Sequence, residues 1–569
     1  MGARAHGAVA AIVAGVVTGA LVGATGGVVA TSQAAAVTTD QSYWVPANDK
    51  LVVDGHGYGH GHGMSQHGAQ GAATRGLSHG EILDFYYPGT RTGTVTGEVR
   101  VLVSADTTDD VVVSPVSGLG VRDLGDASVH SLPVGDSFKR WRLVVVDGRT
   151  VVQRYDAGWK RFARRWNGSF AGDVEFFAKA PITLWTPTGR KTYRGTLRAA
   201  SPAPGSRRRD TVNVVSVDQY VMGVVPYEMP ASWHPEAVRA QAVAARTYAT
   251  WSRERNRNGH YQICDTTSCQ VYGGVSGEDP RSNDAVRATA RTILTHGGAP
   301  AFTQFSASSG GWTSAGSVPY LPAQKDPYDA WSGNSVHSWT VTVDARVLER
   351  KYPRVGTLRR IRVTQRDGNG QWKGRVTSVV LDGTAADVTI SGDEVRWAYG
   401  LRSSWFAIRS TPVITRWRQI GGASSVVGDV RGPEYAVASG VGQRFAKGRI
   451  FDSPRTNPWE VHGPILTRYL GLGGPSSSLG FPHSRVVHRG GGNHHARFEG
   501  GSIFHRSTGA TLTVTGAIER RWRSEGAFSS GLGWPKTSNY KVRGGQRVDF
   551  DQGAIVWRRS TGSTRVIRS

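Results

Sequence analysis

The chain has 569 residues, enough for several domains with cores of their own. Lys and Arg number 68 against 43 Asp and Glu, a net charge of +25. That charge is spread without a basic arm and with no nucleic-acid-binding motif, so nucleic acid is set aside as a partner and anionic wall polymers or lipid headgroups are favoured.

Arg4 precedes an apolar run over residues 8–30, then polar Thr31, Ser32 and Gln33, then Ala34, Ala35 and Ala36. A positive start, an apolar middle and a small-x-small site describe a secretory signal over residues 1–36. The run is long and Gly/Ala-rich, which leaves an uncleaved anchor as the alternative. Either reading puts the mature chain outside the cell, in the wall or at the surface. Residues 41–92 hold a dense Gly/His cluster. Residues 93–410 follow as a core domain that is mostly strand to about 207, with β-branched runs at 99–103, 111–113, 141–146 and 151–155. A strand at 212–217 leads into a turn carrying Glu228. Pro235 and Glu236 open a helix that runs to about Arg255. A second helix is expected over 279–294. Strands return at 340–343, 360–364 and 377–381, with 396–401 closing the block.

Residues 416–569 carry an internal repeat of 52 or 53 residues. Its aromatic anchor is Trp417, Tyr469 and Trp522. Its Val/Leu-Gly pair begins at Val427, Leu479 and Leu532. Its Phe-x-x-Gly-x-Ile pattern begins at Phe445, Phe498 and Phe550. Each copy is short for an independent core, so stacked β-rich units are expected.

Four features could carry chemistry. Glu228 lies between Pro226 and Pro230, among Val224, Val225, Tyr227, Met229 and Trp233. Apolar surroundings raise a carboxyl's pKa and suit a proton donor; the structural alternative is dipole or capping work at a helix entry. The Gly/His tract offers His56, His60, His62 and His67 as metal ligands, or glycines for close backbone approach. Cys264 and Cys269 read as a disulfide in an exported chain. The alternative is zinc on His260, Cys264 and Cys269, which lacks a fourth ligand nearby. Ser308 lacks the Gly-x-Ser-x-Gly elbow of a nucleophile.

The segment 220–249 around Glu228 resembles the signature of the SpoIID/LytB family, which acts on bacterial cell-wall glycan. Residues 55–69 and 81–89, Cys264–Gly273 and Ser306–Thr313 resemble further blocks of that family. The Gly/His block precedes the core here, as in a circularly permuted domain, so the start of the chain is expected to return near 401–406. The resemblance implies an α+β SpoIID-like mixed domain, and it aligns Glu228 with the glutamate credited with lytic transglycosylase activity. It also suggests that His60, Ser65 and Gln66 line a glycan groove. Gln270, Ser308 and Ser309 would hydrogen-bond sugar hydroxyls and acetamides, with Tyr272 and Trp312 stacking on sugar faces; loop packing is the alternative for each. Asp218 and Glu236 read as structural. No cofactor is expected, because the zinc ligands of one relative are incomplete here. The repeats resemble LGFP modules of wall-associated proteins, so envelope polymers are expected partners, beside peptidoglycan glycan strands and an N-acetylmuramoyl-L-alanine amidase. LytB-type members are amidase enhancers, and a non-catalytic enhancer or a structural wall-binding protein are the rival readings.

Overall fold

The structure is a computed structural model that describes residues 36–163, 168–170 and 172–569. The expected signal at 1–36 falls, but for Ala36, outside the described residues.

The start of the chain is woven into the far end of the first domain. The strand Val37–Trp44 pairs antiparallel with Leu358–Arg366, which continues through Val376–Gly383 to Asp387–Ile390. The strand Lys50–His56 lies between Ser338–Asp344 and Phe406–Ile408, with Gly55 opposite Phe406. The chain's start therefore returns to the region expected from the block order. Met64–Ser65 pairs with Phe305–Ser306 and leads into α1 (Gln66–Thr74) and α2 (His79–Tyr86), both packed on α5 (Pro235–Arg255).

Two seven-stranded sheets occupy residues 98–216 and recruit Ile263–Cys264. Their alternating Val, Leu and Phe side chains, with Val101, Val113, Trp141, Phe176 and Leu184 fully buried, join α5 in one core. The strand Asp210–Ser216 runs into α3 (Val217–Met222) and the single turn α4 (Val225–Glu228). The alanines of α5 let its neighbours approach closely. Within it, buried Arg246 donates to Asp218 at 2.6 Å and to the carbonyls of Val286 and Thr292.

Two expected elements differ. The helix expected over 279–294 stops early: α6 spans Pro280–Ala288, and Thr292–His296 is a strand paired with Arg91–Thr94. The closing strand at 396–401 is instead the end of a helix. After α7 (Arg346–Lys351), α8 spans Gly392–Tyr399 and ends on Gly400 at φ 65°, with a Ser391/Glu394 capping box at its start.

The repeats are three units, each a helix followed by a four-stranded antiparallel sheet: α9 (Pro412–Gln419), α10 (Gly463–Gly471) and α11 (Gly516–Ser524). The repeated motif has a physical basis. Trp417 Nε1 donates to the carbonyl of Gly428, and Tyr469 Oη to that of Gly480. Those glycines and Gly533 sit at φ 64–75°, where L side chains are strained. Each anchor also meets the Phe of its own unit, Trp417 on Phe445, Tyr469 on Phe498 and Trp522 on Phe550. The cores cross unit boundaries: Phe451 and Val461 of the first unit pack with Ile465 and Tyr469 of the second.

Candidate active site

A cavity of about 290 Å³ opens where α4 and the turn after it, Tyr248 of α5, the 267–271 loop, the 303–307 segment and the Gly/His block meet. Glu228 lines it, beside Pro226, Met229, Pro230 and Trp233. Burial pushes the Glu228 carboxyl up to about 7, against the opposing pull of the Val271 backbone N–H, 3.3 Å from Oε1, and of Gln66. Among the described residues lining the cavity, Glu228 is the one carboxylate. A lone acid poised near neutrality can donate and then retrieve a proton; it cannot supply the second carboxylate of a hydrolytic pair.

His60, Gln66 and Gln270 also line the cavity. Burial holds His60 well below the usual histidine range, so it is neutral, and its Nδ1 accepts from the His62 backbone at 2.9 Å. Gln270 is buried, accepts from Tyr220 Oη at 3.2 Å and donates to the Ala245 carbonyl. The loop carrying Gln270 is closed by the Cys264–Cys269 disulfide, which braces the wall from which Val271 reaches Glu228. The sulfurs are thus joined to each other, and His260 Nε2 lies 2.8 Å from Asp210 Oδ2. These three residues do not form a zinc set.

Five expected sugar contacts do other work. Ser65 is buried; it caps α1 by accepting from Gly68 and donates to Asp329 Oδ1 at 2.6 Å. Ser308 donates to both Asp329 oxygens and Ser309 to Asp326. Tyr272 is not a platform. It is 2 % exposed, packed at a tilt against Tyr193 and Tyr220, with Oη donating to Asn213. Trp312 lies outside the cavity, bridged to Lys325 and facing Gly370 near Trp405. Asp218 and Glu236 bond Arg246 and His79 respectively.

The hub of this network is Asp329, which no local motif signals. It gathers Ser65, Ser308, the backbone N–H groups of Ser309 and Gly310, Asn334, and His337 at 2.7 Å. Burial alone would raise its carboxyl, but His337, Ser65 and Ser308 outweigh that and hold it below the usual range. Asp326 beside it is pushed up to about 6, by burial and then by the Asp329 charge. The hub pins the Gly/His block to the 306–310 loop behind the cavity. Sequence reasoning also passed over His67, Tyr227, Trp233 and Tyr248 as cavity residues. All but His67 lie within the 220–249 signature, whose aromatics were the available signal.

Comparison with known proteins accords with this architecture. Residues 206–296 match the family model described as Stage II sporulation protein (SpoIID), and residues 427–477 and 479–529 match the LGFP repeat. An amidase enhancer of Bacillus subtilis is 41% identical over 135 residues, 23% of this chain and 17% of that protein. Stage II sporulation protein D of Bacillus amyloliquefaciens is 30% identical over 245 residues, 38% of this chain and 64% of that protein. Its Bacillus subtilis counterpart is 30% identical over 224 residues, 34% and 61% of the two chains. The chain thus spans less than two thirds of each of these relatives. Residues 206–296 thus resemble a SpoIID-type domain, and residues 427–529 resemble LGFP repeats. That combination marks a cell-wall-associated protein.

Proposed function

We propose that this protein is a secreted peptidoglycan lytic transglycosylase that uses Glu228 as its acid and then its base. The supporting observation is the lone carboxyl, raised to about 7, lining a cavity of ligand size. Protonated Glu228 gives its proton to the oxygen leaving C1 of N-acetylmuramic acid, and the C1–O bond breaks. The resulting carboxylate takes the proton of that sugar's own 6-hydroxyl, whose oxygen bonds C1. The product is a 1,6-anhydro end, and neither a water nor a second carboxylate takes part. The repeats hold the enzyme at the envelope through its polymers.

The similarity to an amidase enhancer favours one other reading, in which the domain grips wall and speeds an N-acetylmuramoyl-L-alanine amidase. Clearing of purified wall by wild type and Glu228→Gln, each with and without such an amidase, separates the two. The transglycosylase reading expects wild type alone to clear wall and the variant to fail. Equal stimulation of the amidase by both proteins, with no clearing in its absence, would establish the enhancer instead.

A further inference from the structure

Six strands of one seven-stranded sheet lie side by side in the order Trp159–Arg161, Arg149–Tyr155, Arg140–Val146, Asp110–Val113, Ile182–Thr186 and Gly189–Tyr193. Val111, Val113, Trp141, Leu143 and Leu184 turn into the buried core, so their alternate neighbours face outward. The register sets those neighbours in one line: Arg161, Gln153, Arg142, Val112, Trp185 and Arg190 are successive cross-strand partners. At about 4.8 Å per strand this lane is roughly 24 Å long. Every residue on it is half-buried or exposed, and none lines the Glu228 cavity.

The lane is basic, and its indole rings are occupied. The Arg142 guanidinium lies over Trp159, 4.3 Å from the ring centroid. Arg140, two residues along the same strand and on the same face, lies over Trp185 at 3.7 Å, and Arg190 lies over that ring at 4.9 Å. Trp185 is itself held by Nε1 donating to Ser114 Oγ at 2.8 Å. Arg142 is neutralised by Asp110 at 3.1 Å and bonded to Gln153. Among the described residues, Arg140 and Arg190 have neither a carboxylate partner nor a side-chain hydrogen bond. Two positive charges are thus gathered on one indole with no negative charge between them, an arrangement that a bound anion relieves. A guanidinium over a ring still presents N–H groups to a phosphate, whose oxygens match its fork.

We propose that this face binds a linear phosphodiester polymer of the envelope, with phosphates drawn to Arg140 and Arg190 across Trp185. The length of the lane suits a chain and not a single ion. The covered rings choose between kinds of chain. A neutral glycan would need the indole faces for its sugars, and a single-stranded nucleic acid would need them for its bases; both meet a guanidinium there. A polymer whose charge lies in its backbone, and which carries no base, needs only the cations. The face holds the domain to phosphate-bearing wall independently of the Glu228 cavity and of the repeats.

The test is calorimetric titration of the full chain with chemically defined poly(glycerol phosphate), beside an oligothymidylate with the same number of phosphates and vesicles of phosphatidylglycerol. The expected result is tightest binding of poly(glycerol phosphate), abolished at about 1 M salt, where charges are screened beyond about 3 Å. Arg140→Gln combined with Arg190→Gln should weaken that binding by about tenfold or more, because two charge-assisted contacts are lost. Arg207→Gln combined with Arg354→Gln removes the same charge from exposed positions elsewhere and should leave most of the binding in place. Both pairs should unfold at the wild-type temperature, since all four side chains reach solvent. Equal weakening by the two pairs would reduce the effect to overall charge and overturn the face. Tighter binding of the thymidylate or of the vesicles would overturn the polymer as its partner, and no binding of poly(glycerol phosphate) would overturn both. Glu228→Gln should bind as wild type does, so a failure of the lytic reading leaves this result standing.

Discussion

At the residue scale, Glu228 joins stability to chemistry. A carboxyl raised from 4.5 to about 7 keeps a proton in the native chain that the unfolded chain has lost. Stability therefore falls as pH rises through that window, by about 3 kcal/mol in all. Glu228→Gln is neutral throughout and lacks this slope. Urea unfolding should show the variant gaining on wild type by up to about 3 kcal/mol between pH 5 and 8; parallel pH profiles would refute the raised carboxyl. The acid form also fades as pH passes 7, so cleavage should decline on the alkaline side. The surroundings of Glu228 were partly legible in the sequence, because its neighbours Pro226, Tyr227, Met229, Pro230 and Trp233 line the same cavity. Tyr272, Ser308 and Ser309 were not. Their polar atoms are satisfied by Asn213, Asp326 and Asp329, none of which the motifs around them reveal.

At the element scale, two staples shape the cavity. Asp329→Ala would strand the donors of Ser65, Ser308, Asn334 and two backbone amides, and unpair His337. A loss of about 3–5 kcal/mol is expected in chemical denaturation, and a loss under 1 kcal/mol would deny the hub its role. The Cys264–Cys269 bridge closes a short loop, and replacing both cysteines with serine should remove about 2 kcal/mol. Cleavage should weaken with it, because Val271 and Gln270 hang from that loop. The long helix α5 was read to its observed ends from its opening proline and alanine content. The 279–294 segment was misread because Thr292–His296 takes its partner, Arg91–Thr94, from about 200 residues away. Helical propensity cannot see such a ladder, and tertiary pairing overrides it.

At the scale of the whole molecule, the repeats form a coupled array. Tyr469 belongs to the second unit but packs against Phe451 of the first as well as Phe498 of its own. Tyr469→Ala should cost about 3–5 kcal/mol and separate the unfolding of the first unit from the rest in calorimetry; one unchanged transition would contradict the coupling. The 52–53-residue period was visible because each unit needs the same anchor, glycine and Phe. The sharing of cores across units was not, since no single copy encodes its neighbour's helix.

The most direct test of the central claim is mass spectrometry of soluble products from intact and amidase-treated peptidoglycan, incubated with wild type and with Glu228→Gln. The account predicts products ending in 1,6-anhydro-N-acetylmuramic acid from wild type and none from the variant. Reducing ends in their place, or anhydro ends from both proteins, would contradict it.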